Sequence, residues 1–273
     1  MEKNTNINFH QTFKPEIQYI SAILEIANGD KFNSIKDISM FTGIPNGKSS
    51  GKVEPHIFYA KYMGLIDVEK EGKNYKLKRT YLGDAVYDED PGLQEDLTLT
   101  LCHGMMLRKV DGAAMWSSIF MKIMPMYPIG IKKSLLLKEL VRILGDKVNT
   151  KNIAPFYGSY DTTFSSLNIV KTEDDTVVLN HVSLNKEFVF LYAFILYKYW
   201  DELYKDQDEI SSIQLEKIGL KNIFGWTEKT EYEVLELLSD YDLIRLNRQL
   251  MPYTLLRLTD ENYLIDKMYS ELC

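Results

Sequence analysis

The chain is poor in the residues that build cross-links and metal centres. Only two of its 273 residues are cysteines, Cys102 and Cys273. This excludes a disulfide-stapled scaffold and a cysteine-based metal site. Histidine is nearly as scarce. His10, His56, His103 and His181 lie far apart, with no carboxylate or cysteine at ligand spacing, so neither a metal site nor a cofactor is expected. No apolar run reaches the roughly 20 residues of a membrane-spanning helix. The strongest, KEFVFLYAFILYKYW, is short and holds a lysine near each end. The opening MEKNTNINFH has no basic stretch followed by an apolar one, so no signal peptide is expected. The expected setting is the cytoplasm, without membrane contact.

What remains is an ordinary folding composition, 45% apolar and 26% charged, with a net charge of −7. The charge is uneven. Residues 1–90 sum to −1, residues 91–184 to +1 and residues 185–273 to −7. Within the first part, residues 43–82 hold eight lysines and arginines against four acids. An anionic partner is therefore expected near the N-terminal part, and a different kind of partner at the acidic end.

Apolar periodicity predicts a helix in PEIQYISAILEIANGD and a second in SIKDISMFTGI, with Ser34 as its N-cap. A third is expected to begin near Pro55 and to end before Gly64. LIDVEKEGKNYKLKR alternates apolar and polar residues on both sides of EGKN, the mark of a hairpin. Three helices and a hairpin make a winged-helix order. It recurs in KKSLLLKELVRILG to VVLN, and again in NKEFVFLYAFILYKYWDEL to LLRL. Helices in EDLTLTLCHGMML and AAMWSSIFMKIM are expected to link the first unit to the second. The predicted fold class is mainly α with small β-hairpins (α+β), arranged as tandem winged-helix-like units. The expected segments are 1–90, a winged-helix DNA-binding unit; 91–183, a helical linker with a second unit; and 184–273, an acidic third unit.

The stretch GIPNGKSSGK, residues 43–52, resembles a phosphate-holding loop. A nucleotide-binding P-loop is excluded, because only three residues separate Gly43 from Gly47 and a helix precedes the loop where a strand is required. Contact with DNA phosphates fits better. Lys48, Ser49, Ser50 and Lys52 supply donors before a helix N-terminus. His56 and Tyr59 are expected on the outer face of that helix, reading bases, while Ile57 and Ala60 pack inward. Lys73, Lys76 and Lys78 form the wing. The alternative is that these units dock proteins and touch no DNA. The acidic third, with Trp200, Tyr204 and Trp226 as aromatic edges, is expected to bind protein or a second copy; partner or self-association surfaces are expected within 91–273. Cys102 beside His103 suggests a nucleophile and base, but neighbours on a helix diverge by about 100° and the stretch is apolar. A core cysteine and a non-enzyme are expected, with no catalytic residues. The methionine-rich stretch from Met105 to Met126 reads most simply as core.

FHQTFKPE, TGIPNGKSSGKVEPHIFYAKYMGLI, YLGDAVYDEDPGLQED and AAMW resemble a bacterial family catalogued as domain of unknown function four thousand and seven. The resemblance covers at least residues 9–125. Its opening motif is matched by His10, Thr12 and Phe13, and its junction by Gly64, Leu65 and Ile66. The resemblance implies a helix-turn-helix DNA binder linked to DNA phosphorothioation or phage defence. It supplies no catalytic residue.

Overall fold

Pro15 lies just before the first helix, α1 (Ile17–Ile26), which buries Ile20, Ile23 and Leu24. A two-residue strand, β1 (Asn33–Ser34), leads into α2 (Ile35–Thr42). Here the Ser34 hydroxyl accepts the Asp37 amide and the Asp37 carboxylate accepts the Ser34 amide, a reciprocal cap. Gly43, at φ +71°, ends the helix in the left-handed region that glycine enters without strain. α3 (Val53–Tyr62) starts two residues before Pro55, and the hairpin β2 (Ile66–Glu71) and β3 (Asn74–Arg79) follows. β1 joins this hairpin, giving the order β1-β3-β2. α4 (Tyr81–Glu89) and α5 (Asp96–Met106) come next; α5 is buried from Leu97 to Met106.

The computed structural model describes residues 7–48, 50–145, 148, 153–249 and 251–272. The chain is mainly helical with three small antiparallel sheets, each of three strands. The second repeat runs through α6 (Ala114–Ser118) with a π-helical turn to Ile123, β4 (Ile131–Lys132), α7 (Lys133–Leu144), α8 (Ala154–Gly158), β5 (Val170–Glu173) and β6 (Thr176–Leu179). The third comprises α9 (Val189–Leu203), β7 (Glu209–Ser211), α10 (Ser212–Ile218), α11 (Leu220–Phe224), α12 (Glu228–Asp240), β8 (Ile244–Asn247) and β9 (Thr254–Arg257), closed by α13 (Glu261–Lys267). Their sheet orders, β4-β6-β5 and β7-β9-β8, repeat the pattern of the first.

One helix assignment changes. AAMWSSIFMKIM, expected as a link, is the first helix of the second repeat, and KKSLLLKELVRILG is its second. The strand β4 decides this, because it precedes α7 as β1 precedes α2. Two-residue strands leave no periodicity in the sequence to reveal them. The chain divides into two compact units, residues 1–178 and 179–273. The first two repeats thus share a unit.

Within the first unit an aromatic chain joins its two repeats. Phe9 packs edge-on to Tyr59 and Tyr62, with centroids 4.9 and 4.7 Å away, and lies 6.0 Å from Trp116. Trp116 meets Phe156, and Phe156 meets Tyr160 at 5.2 Å. Met105, Met106, Met115 and Met124 are buried beside them, so this stripe is core, whereas Met126 is half exposed. In the second unit Trp200 and Trp226 are core side chains, not exposed edges. Trp200 donates to the Gln207 carbonyl at 2.7 Å, and Trp226 stacks on Phe224 at 4.4 Å.

α4 lies against the junction after α3. A Cβ added to Gly83 would stand 1.8 Å from the Leu65 carbonyl oxygen, which belongs to the backbone and has nowhere to go. Gly83→Ala is therefore expected to lower stability by about 2–3 kcal/mol in a denaturant titration; a loss below about 0.5 kcal/mol would refute this packing.

Candidate nucleic-acid interface

The loop at 43–52 is open to solvent at Asn46, Gly47, Lys48 and Ser50, while Ile44 anchors it in the core. Ser49 lies outside the described residues. The Lys52 amide donates to the Pro45 carbonyl at 2.8 Å, closing the loop on itself. No side chain caps α3; Pro55 has no N–H and the His56 amide donates to the Lys52 carbonyl at 3.2 Å, so in its first turn the Val53 and Glu54 amides are the ones without a helical partner. Lys48 makes no ion pair among the described residues.

α3 itself is not an exposed reading helix. His56 and Tyr59 are both 0% exposed, as are Ile57 and Ala60 on the opposite side. The face expected to point outward is covered by the segment 9–16, FHQTFKPE. His56 Nε2 accepts the Glu16 amide at 3.0 Å, which leaves Nδ1 protonated to donate to the Lys52 carbonyl at 2.7 Å. The Tyr59 hydroxyl donates to the Phe13 carbonyl at 2.9 Å. Lys52 Nζ pairs with Glu16 Oε1 at 2.5 Å and lies 5.7 Å from the Phe13 ring centroid. Three of the residues expected to touch DNA thus hold the N-terminal segment instead. Sequence spacing placed them on one face correctly but could not show that eight residues, far away in sequence, would cover that face.

The same segment reaches the second repeat. Lys14 Nζ donates to the Thr162 hydroxyl at 2.8 Å, and the Thr163 hydroxyl donates to the Pro15 carbonyl at 2.6 Å. His10 is wholly buried, edge-on to Trp116 at 5.3 Å. Its place in the opening motif is therefore structural, a role that the sequence did not assign.

The hairpin is less basic than its lysine count suggested. Antiparallel register places Lys78 opposite Asp67, Lys76 opposite Glu69 and Asn74 opposite Glu71, all on one face. Lys76 pairs with Glu69 at 3.5 Å. On the other face Lys70 Nζ and the Tyr75 hydroxyl both bind the Glu54 carboxylate at the start of α3. Lys73, in the turn, has no carboxylate partner among the described residues. Among the described residues of the loop and hairpin, the exposed cations without an ion pair are Lys48, Lys73 and Lys78, the last along the Gly29 edge.

The other candidates are settled by burial. Cys102 is fully buried and its thiol is pushed far up by desolvation, so no thiolate forms. His103 Nδ1 meets the Tyr160 hydroxyl at 3.0 Å, away from any nucleophile role with Cys102. Among the described residues no group of three or more His, Cys, Asp or Glu side chains could hold a metal ion. No helix among them is long and apolar enough to cross a membrane.

A thrice-repeated unit of helix, strand, two or three further helices and hairpin defines the architecture, and the first repeat carries the open loop with Lys48. No family model and no curated protein matches the chain. Its backbone is similar to solved structures of SspB. A crystal structure of magnesium ion-bound SspB matches with a TM-score of 0.78 and 15% identity, over 97% of this chain and 86% of that one. A second SspB crystal structure matches with the same score and coverage at 14% identity. At this identity the likeness establishes the fold. The magnesium named in the first has no counterpart cluster among the described residues of this chain.

Burial drives the pKa of both His10 and His56 down from 6.5 to about 4. Their neutral forms are favoured in the native state, so the unfolded chain binds more protons at acid pH. The stability they contribute is complete above about pH 6.5 and is lost as pH falls towards 4. A thermal-melt series from pH 7.5 to 4.5 is expected to show Tm falling over that window. His56→Gln should lower Tm at neutral pH and flatten the fall; an unchanged slope would show that His56 does not titrate with folding.

Proposed function

We propose that this protein is a non-catalytic, DNA-contacting subunit of a bacterial DNA modification or phage-defence system of the phosphorothioation type. It meets the duplex through the loop at 46–50 and not through the face of α3. The observation that carries this reading is the exposed, glycine-rich loop bearing unpaired Lys48 and Ser50 beside the uncapped first turn of α3. Backbone amides at a helix start and a lysine point charge suit phosphate oxygens. Glu54, the nearby carboxylate that would repel a phosphate, is engaged by Lys70 and Tyr75. The motifs shared with the family of domain of unknown function four thousand and seven support the system, and the SspB likeness spans nearly the whole chain. Each repeat has the order of a winged helix. In this reading the first acts as a phosphate-positioning module, whereas the acidic unit 179–273 docks a protein.

The covered face of α3 and the charge-matched hairpin also favour a second reading, an adaptor that docks proteins and touches no DNA. Salt dependence separates the two. Under the first reading duplex affinity falls as salt rises, and each lysine in contact adds about 0.9 to the logarithmic slope. Lys48→Ala is expected to reduce that slope by about one unit. Lys52→Ala, which removes an internal ion pair, should lower Tm and leave the slope unchanged. Absence of duplex binding near 50 mM salt, where such contacts are strongest, would favour the adaptor.

A further inference from the structure

Between the N-terminal segment and the loop lies a cleft of about 300 Å³, lined by Gln11, Thr12, Phe13, Asn46, Lys48 and Glu54, with Val53 behind them. This is the small end of the range for ligand-bearing clefts. Its chemistry is mixed in a particular way. Phe13 is half-buried and supplies an aromatic wall, while Gln11, Thr12 and Asn46 are exposed. The side-chain amides of Gln11 and Asn46 and the Thr12 hydroxyl make no hydrogen bond among the described residues. The one carboxylate, Glu54, is turned to Lys70 and Tyr75 and so is not left to repel an anionic ligand. Gln11 also sits at φ +52°, in the left-handed region that a non-glycine residue enters only at a cost. Such strain persists where the surroundings impose it, and here the segment on either side is pinned by His10 in the core and by the Tyr59 bond to Phe13.

We infer that this cleft receives a nucleobase, stacked on Phe13 and read by the amides of Gln11 and Asn46. Lys48 at the rim meets the adjoining phosphate. An amide can donate and accept at once along an adenine edge, and an aromatic face stacks on any base. Amide N–H groups alone could also hold a phosphate; the aromatic wall and the amide acceptors are what single out a base. The base reaches the cleft from a duplex by leaving the stack, a step that costs least where the base is unpaired. This source of the base rests on the DNA-contacting function proposed above; a free nucleotide offers the same chemistry from another source.

The test uses the full chain and fluorescence anisotropy with three probes: a paired duplex, the same duplex with one bulged adenine, and free dAMP as competitor. The bulged duplex is expected to bind about tenfold tighter than the paired one. Gln11→Gly, at an exposed position outside the duplex-contacting loop, should remove that preference while paired-duplex binding and Tm stay near wild type; Asn46→Ala, within the loop, should remove the preference with Tm unchanged. Equal affinity for both duplexes would overturn the cleft assignment and leave DNA contact standing. If neither duplex binds but dAMP does, and Asn46→Ala weakens it, the nucleobase site holds with a free nucleotide as its source and the DNA reading falls. Binding of none of the three overturns both.

Discussion

The structure of the first unit depends on the seating of FHQTFKPE across α3. The neutral His56 ring is its centre, accepting a hydrogen bond from the Glu16 amide at Nε2 and donating one from Nδ1 to the Lys52 carbonyl. The ring itself is fully buried, where an unsatisfied polar atom costs about 1–3 kcal/mol. Phe9 then extends the segment into the aromatic chain that runs to Tyr160, and Lys14 and Pro15 tie it to the second repeat. Remove the segment and α3 would expose two rings, a histidine and a lysine; with it in place, α3 is an interior helix.

This has an electrostatic consequence. A count of cations between residues 43 and 82 gives an excess of positive charge, yet half of the eight are paired within the fold. Lys52 is bound to Glu16, Lys70 to Glu54, Lys76 to Glu69 and Arg79 to Asp84. Half-exposed pairs of this kind add little stability, but they decide which cations can reach a partner. The surface field is therefore set by the few left open, Lys48 foremost, and not by composition. The same logic protects the cleft beside the loop, where the hairpin takes up the only lining carboxylate.

Much of the architecture was legible in the sequence because it rests on local physics. The Ser34 cap, the glycines after α2 and in the β2–β3 turn, and the alternation of the hairpin all act over a few residues. The three-fold repetition was legible for the same reason. What escaped was non-local. Strands of two residues carry no period, so the second repeat was entered one helix late. The outward reading of His56 and Tyr59 failed because helix spacing defines faces without saying what covers them. Trp200 and Trp226 were misread likewise: the acidic composition of their neighbours suggested a surface, whereas their rings close the core of the second unit. The signal that could have found the covering segment was the ring-bearing set Phe9, His10, Phe13 and Pro15 within FHQTFKPE, a stretch too short for a helix and unexplained as a loop.

The central claim is that segment 9–16 is part of the folded core through its bond to His56. Hydrogen exchange at the Glu16 amide tests it most directly, since that N–H has no helical partner and its acceptor among the described residues is the His56 ring. The account predicts exchange as slow as that of the α3 amides, requiring unfolding of the unit, and a marked acceleration in His56→Ala. Exchange of the Glu16 amide at the rate of an exposed loop, while α3 stays protected, would contradict it.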